Sequence, residues 1–180
     1  MGSRRICVTG ASGFIGANLV ARLKAQGEWV LATDVKDTPE REHLYEQADE
    51  VERADLREPG LADFAVEGVD RIWHLAADHG GAGYFHGPAD FKAAMNNEAI
   101  DRNVLLAAKD SQIERLFFAS SACTYPTTIQ GKGARALRES DWGGGPAEAL
   151  YGERKRMSTL FFEGARNHGL DARSGIFHTI

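Results

Sequence analysis

Cysteine is scarce in this 180-residue chain: Cys7 and Cys123 stand far apart, one inside an apolar run and one at the end of another, which argues against a disulfide framework. No CxxC pair occurs and none of the 6 histidines falls at ligand spacing, so a zinc site has no support and no metal is expected. No apolar run approaches the roughly 18 residues needed to span a bilayer. The opening Met1-Gly2-Ser3-Arg4-Arg5 leads into a strand-like run without a cleavage-site pattern, and Ile6 stands where N-myristoylation after Gly2 wants Ser or Thr. The expectation is a cytoplasmic protein with no membrane partner. An excess of basic charge is also missing, since 21 Lys+Arg stand against 26 Asp+Glu for a net charge of -5. Nucleic acid is therefore not an expected partner, and any phosphate must be gripped locally. Repeats and low-complexity tracts are absent as well. What remains is an ordinary globular composition, 43% hydrophobic, at a length that buries about two-thirds of the unfolded surface. A single domain over 1–180 follows, with one core that needs neither metal nor disulfide.

Short apolar runs alternate with segments of helical period, the pattern of repeated strand-helix units around a mostly parallel sheet. Strands are predicted over 5–9, 29–34, 50–54, 71–75, 115–120 and 171–177. Helices are predicted over 13–26, with Ile15, Leu19 and Leu23 as its apolar stripe and Gly27 as its stop, over 89–109, and over 148–167. Ile100, Val104, Leu105 and Ala108 are the expected inward residues of the second helix. Two stretches, 78–88 and 126–146, resist either assignment, and loops of that length are often functional. The fold class expected is α/β, a doubly wound parallel sheet of the Rossmann type.

Directly after the first strand comes Val8-Thr9-Gly10-Ala11-Ser12-Gly13-Phe14-Ile15-Gly16. Gly10 suits a tight turn, Gly13 lets backbone approach a pyrophosphate, and Gly16 allows close helix-strand packing, while the helix start offers free N–H groups to the anion. Asp34, at the end of the second strand, can accept hydrogen bonds from both ribose hydroxyls of NAD and repel a 2′-phosphate, although Lys36 leaves room for NADP. Asp55-Leu56 places a carboxylate and an N–H either at the adenine edge or in a turn that Asp55 caps. Tyr151 and Lys155, four apart on a predicted helix, share one face. A free phenol ionises near pH ~10, so it becomes a useful base only when a cation such as Lys155 stabilises the phenolate. Ser121 and Cys123 follow the strand at 115–120, at the sheet edge where ligands of open parallel sheets lie. Cys7 reads as a small buried hydrophobe, and Cys123 as either that or a reactive thiol.

Together these residues resemble the extended short-chain dehydrogenase/reductase family, whose marks are a TGxxGFIG start, an active-site Ser and a YxxxK pair. Within it the chain is similar to the GDP-mannose 3,5-epimerase branch. That closer likeness rests on His74-Leu75-Ala76-Ala77-Asp78, Gly80-Gly81-Ala82-Gly83-Tyr84, Asn96-Asn97 with Asn103, Ser120-Ser121-Ala122-Cys123-Thr124-Tyr125-Pro126, Glu139-Ser140-Asp141 and Gly175-Ile176-Phe177-His178. The resemblance implies NAD held by Gly10, Ser12, Gly13, Phe14, Ile15, Gly16, Asp34, Asp55 and Leu56, by Leu75, Ala76 and Ala77, and by Tyr151 and Lys155. It implies a nucleotide-sugar substrate of the GDP-mannose type, met by Gly81, Gly83, Ser121, Ala122 and Cys123. Tyr151, with Lys155 and Ser121, would take the C4 hydroxyl proton during oxidation by NAD; Cys123 would then deprotonate C3 or C5, a partner acid would return a proton from the opposite face, and re-reduction would close the cycle. Family members carry a second, substrate-binding domain that 180 residues do not include, so the resemblance implies a truncated chain. It also implies pairing of long helices into a homodimer. Two alternatives stand beside this reading: another nucleotide-sugar 4-epimerase, dehydratase or decarboxylase, which needs no thiol at 123, and a non-catalytic NAD-binding module.

Overall fold

Residues 4–80, 84 and 87–178 are described by the computed structural model. Six strands form one sheet: β1 (Arg5–Thr9), β2 (Trp29–Asp34), β3 (Glu50–Arg53), β4 (Arg71–His74), β5 (Arg115–Ser121) and β6 (Asp171–Phe177). Their order is β3-β2-β1-β4-β5-β6, with every neighbouring pair parallel. A parallel pair cannot be joined by a tight turn, so each connection crosses a face of the sheet, usually as a helix. These are α1 (Phe14–Ala25), α2 (Glu42–Tyr45), α3 (Pro59–Val66), α4 (Asp90–Asp110) and α5 (Ala149–Ala165). The sheet is the doubly wound one expected, and the order reverses between β1 and β4, where such sheets open a crevice at the carboxyl ends of the strands.

Successive residues of a strand face opposite ways, and in the central strands both faces are apolar. Ile6, Val8, Val30 and Ala32 pack with Ala17, Val20 and Leu23 of α1. Cys7, Leu31, Ile72, Leu116 and Phe118 point the other way, into the larger core with α3, α4 and α5. There Phe118 and Phe162 stack with ring centroids 4.3 Å apart, locking α5 onto β5.

Several sequence expectations shift. Strands β3 and β4 stop a residue early, at Arg53 and His74, whereas β5 continues to Ser121. The buried stripe of α1 is Gly16, Ala17, Val20 and Leu23 rather than Ile15, Leu19 and Leu23. The reason is steric: a Cβ on Gly16 would lie 2.1 Å from Gly10 O, so the smallest residues must face the strand. Helix α3 has no counterpart in the sequence reading, because Pro59-Gly60 resembles a turn; Pro59 instead occupies the first helical turn, where its missing N–H costs nothing. The 126–146 stretch holds two short 3-10 turns, Thr127–Ile129 and Glu139–Asp141. Among the described residues, no helix is long and apolar enough to cross a membrane.

Candidate functional site

The crevice between β1 and β4 is lined on one side by the glycine turn. Gly10 has a φ of +69°, and a Cβ there would lie 2.8 Å from Ala76 N beyond β4, so the turn tolerates only glycine. Gly13 caps α1 without a side-chain hydrogen bond, and no acidic residue stands in the first turn. The N–H groups at that helix start are thus left for an anion, which is the feature a pyrophosphate needs. Asp34 is oriented by three donors: Ser12 N at 3.0 Å and Ser12 Oγ at 2.8 Å reach Oδ2, and Lys36 N reaches Oδ1 at 3.2 Å. It lines a groove of about 210 Å³ with Ser12, Lys36, Asp37 and Arg53.

The carboxylate of Asp55 accepts from Arg57 N at 3.1 Å, capping the turn, and grips the Arg57 guanidinium, which holds its carboxyl below the usual range. Leu56 is buried, its carbonyl bonded by Asn103 Nδ2 at 3.0 Å. Beyond β4, Leu75 N and Ala76 N both donate to Thr9 Oγ1 at 3.2 Å, tying this strand end to the start of the glycine turn. Asp78 is fastened to α4 by Asn96 and Asn97 and accepts from Tyr84 Oη at 2.8 Å. Gly81 and Gly83, expected at the sugar pocket, lie outside the described residues.

Across the crevice stands α5. Gly152 explains its closeness to the Ala122–Thr124 turn: a Cβ at that position would lie 2.3 Å from Cys123 O. Ser121 Oγ accepts from Cys123 N at 3.2 Å and hydrogen-bonds the Tyr151 side chain. Burial pushes the Tyr151 phenol up to about 12, with Ser121 pulling the other way and the Cys123 and Asp101 charges adding to the rise. Lys155 is 5% exposed; its ammonium donates to Ala119 O at 3.0 Å and lies 4.6 Å above the Phe118 ring. Burial lowers Lys155, against the pull of Asp101.

A thiol acts as a base only when ionised, and the surroundings of Cys123 oppose that. Burial pushes the thiol up, Ser121 opposes this, and the adjacent Glu148 carboxylate adds to the rise, so in this state Cys123 carries its proton. Glu148 is one of three residues near the site that sequence reasoning missed. The second is Gly152; the third is His79, whose ring meets the Tyr151 ring edge-on at 5.9 Å and is held below its ordinary range by burial and Lys155. Glu148 and His79 flank expected motifs, and only three-dimensional contact distinguishes them from surface residues.

The strand order and the glycine turn at the reversal point define a dinucleotide-binding domain of the Rossmann type. The chain belongs to the NAD dependent epimerase/dehydratase family, whose model matches residues 6–180, and NAD is the cofactor of that family. It is 37% identical over 180 residues to GDP-mannose 3,5-epimerase 1 of Oryza sativa subsp. japonica, covering 98% of this chain and 46% of the relative. GDP-mannose 3,5-epimerase of Arabidopsis thaliana is 37% identical over 181 residues, covering 98% and 47%. The chain therefore spans about half the length of the curated relatives it matches. Among solved structures, UDP-glucose 4-epimerase from Brucella ovis in complex with NAD aligns with a TM-score of 0.78 at 19% identity, covering 98% of this chain and 51% of that one. At that identity the likeness is one of fold.

Proposed function

We propose that this chain carries the cofactor-binding and proton-handling part of an NAD-dependent nucleotide-sugar epimerase of the GDP-mannose 3,5-epimerase type. The observation that carries the reading is the thiol of Cys123 beside Ser121 and Tyr151, with Glu148 next to it. Redox chemistry at a sugar C4 uses the phenol, the ammonium and the serine hydroxyl; a thiol in the same cluster is needed only when a carbon-bound proton also moves. The relatives named GDP-mannose 3,5-epimerase support the same reading.

Bound on the Gly10–Gly16 turn, NAD supplies the hydride acceptor, the later hydride donor, and a positive charge near the phenol. Tyr151 takes the C4 hydroxyl proton as that carbon is oxidised, once the Lys155 ammonium and the positive charge that bound NAD would bring offset the burial that pushes its phenol up to about 12, while Ser121 holds the C4 oxygen. The 4-ketone acidifies the C–H bonds at C3 and C5. Cys123 takes a proton from C3 or C5 as Glu148 takes the thiol proton, and a partner acid on the opposite face of the sugar returns one, which inverts the centre. Asp34 holds the adenosine ribose hydroxyls. The protein works as a homodimer through the outer faces of α4 and α5, which leave Phe91, Met95, Leu106, Met157, Leu160 and Phe161 largely exposed. Sedimentation reads that association directly.

The test of the chemistry is incubation of the longest natural product containing these residues with GDP-mannose and NAD in deuterated water. Deuterium at C3 and C5 is expected, and it is lost in Cys123→Ser while hydride transfer at C4 continues. Exchange that survives Cys123→Ser moves the assignment to a 4-epimerase or dehydratase.

A further inference from the structure

Ala122–Thr124, which carries the Cys123 thiol, is a single 3-10 turn of three residues, too short to hold its own place over α5. Its placement is nonetheless tight, since a Cβ on Gly152 would lie 2.3 Å from Cys123 O. A glycine permits that approach and cannot enforce it. The ties that enforce it come from outside the turn. Glu148 N donates to Cys123 O at 2.9 Å, and Trp142 Nε1 donates to Thr124 Oγ1 at 3.1 Å. The third tie comes from Arg156 on α5, a residue the proposed reaction does not use, whose Nε and Nη2 both donate to Thr124 O, at 3.1 and 2.6 Å.

The same guanidinium reaches a second segment. Its Nη1 donates at 2.8 Å to Gly145 O, in the stretch 142–148 that ends at Glu148. Glu153, one turn earlier on α5, accepts from Ala147 N at 2.8 Å and meets Arg156 Nη1 at 3.4 Å, so the helix holds this stretch at two points. The Arg156 side chain is largely buried, where charge-assisted hydrogen bonds outweigh neutral ones. A planar fork serves two carbonyls on two edges at once, whereas a lysine ammonium is a point charge without that geometry. Because Tyr151 stands on the same helix, Arg156 ties both the thiol's turn and the segment leading to Glu148 to the element that carries the phenol.

We propose that Arg156 is a positioning residue for Cys123: its guanidinium bridges Thr124 O and Gly145 O and so fixes the thiol's turn on α5 beside Glu148. The consequence for the reaction rests on the role of Cys123 proposed above; the placement does not. Two readouts on the longest natural product containing these residues test the two separately. The first needs no substrate: alkylation of half-buried Cys123 by iodoacetamide is followed by mass spectrometry, with fully buried Cys7 as the monitor of unfolding. Arg156→Lys keeps the charge but loses the fork. It is expected to alkylate at Cys123 about tenfold faster, the shift in opening that loss of one hydrogen bond to a charged group brings, while Cys7 stays unreacted. The second readout uses GDP-mannose and NAD in deuterated water. There Arg156→Lys is expected to lose deuterium incorporation at C3 and C5 by at least about tenfold, the cost of a displaced reacting group, while hydride transfer at C4 changes little. A merely structural role would lower both steps together. An unchanged alkylation rate in folded Arg156→Lys overturns the proposal, as does exchange that is undiminished or that falls only in step with hydride transfer. No exchange in the unmodified protein overturns the epimerase reading instead, and alkylation then decides the placement. Should Arg156→Lys fail to fold, Arg156→Gln, which removes the charge and the fork but keeps an amide donor, is judged on the same readouts.

Discussion

Around β1 and β2 the crevice is walled by backbone: a positive-φ glycine, an uncapped helix start and one carboxylate held by Ser12 and Lys36 N. Around β5 and α5 it is walled by side chains brought from three parts of the chain, with Ser121, Cys123, Glu148, Tyr151 and His79 grouped together and Lys155 buried. The first wall is set by local sterics, so it is intolerant of a Cβ. The second is set by packing and charge across long sequence separations, so Tyr151, Cys123, His79 and Lys155 are held away from their ordinary ionisation. The two walls should therefore fail independently when single residues are changed.

The sharpest separation is expected from Tyr151→Phe. Loss of a positioned acid-base group typically costs about 10²- to 10⁴-fold in rate, and turnover should fall by that much while NAD binds nearly as before; turnover and calorimetry on one preparation check both halves of the statement. Gly152→Ala comes next. Its Cβ meets backbone rather than a flexible side chain, so the Cys123 turn and α5 must part, at about 1–3 kcal/mol of stability by the usual cost of overpacking. Denaturant melts read the loss, and Cys123 should become more accessible to alkylation.

How much of this was legible in the sequence differs between the walls for the same physical reason. Gly10, Gly13, Gly16 and Asp34 fall within a single strand-helix-strand unit, and their spacing carries the geometry. Tyr151 and Lys155 were legible through helical spacing. Asp101 was not, since along α4 it reads as one polar residue on a mixed helix, and its partners are 27 and 57 residues away. His74 reads as a strand-end residue until Thr9, 65 positions earlier, is seen bonded to it. Helix α3 was hidden by Pro59-Gly60, whose turn signal is overridden when Ala62, Ala65 and Val66 bury against the sheet.

A smaller effect belongs to the first wall. Asp34→Ala removes an ionic acceptor worth about 1.5–3 kcal/mol, so NAD should bind roughly ten- to a hundredfold more weakly while NADP changes little; paired titrations with the two cofactors check it. The smallest effect lies outside both walls, in the loop at 126–146. Arg135, then the N–H of Arg138, pull the Asp141 carboxyl down to about 2, so it stays ionised in the folded chain while the unfolded chain's takes a proton near pH ~4. Stability should fade as pH falls from about 4 towards 2, with Asp171, likewise pulled to about 2 by Arg173 and Arg115, adding to the same window. Asp141→Asn should flatten part of that decline in acid-titrated melts.

The central claim is that the two walls close on one NAD whose pyrophosphate sits on the Gly10–Gly16 turn. Calorimetric titration of NAD into the chain, its Gly10→Val variant and its Tyr151→Phe variant tests this most directly, with circular dichroism as the check that each is folded. One site is predicted in the unmodified chain, nearly the same affinity in Tyr151→Phe, and no measurable binding in folded Gly10→Val, whose side chain would collide with Ala76 N. Undiminished NAD binding by folded Gly10→Val would contradict the account.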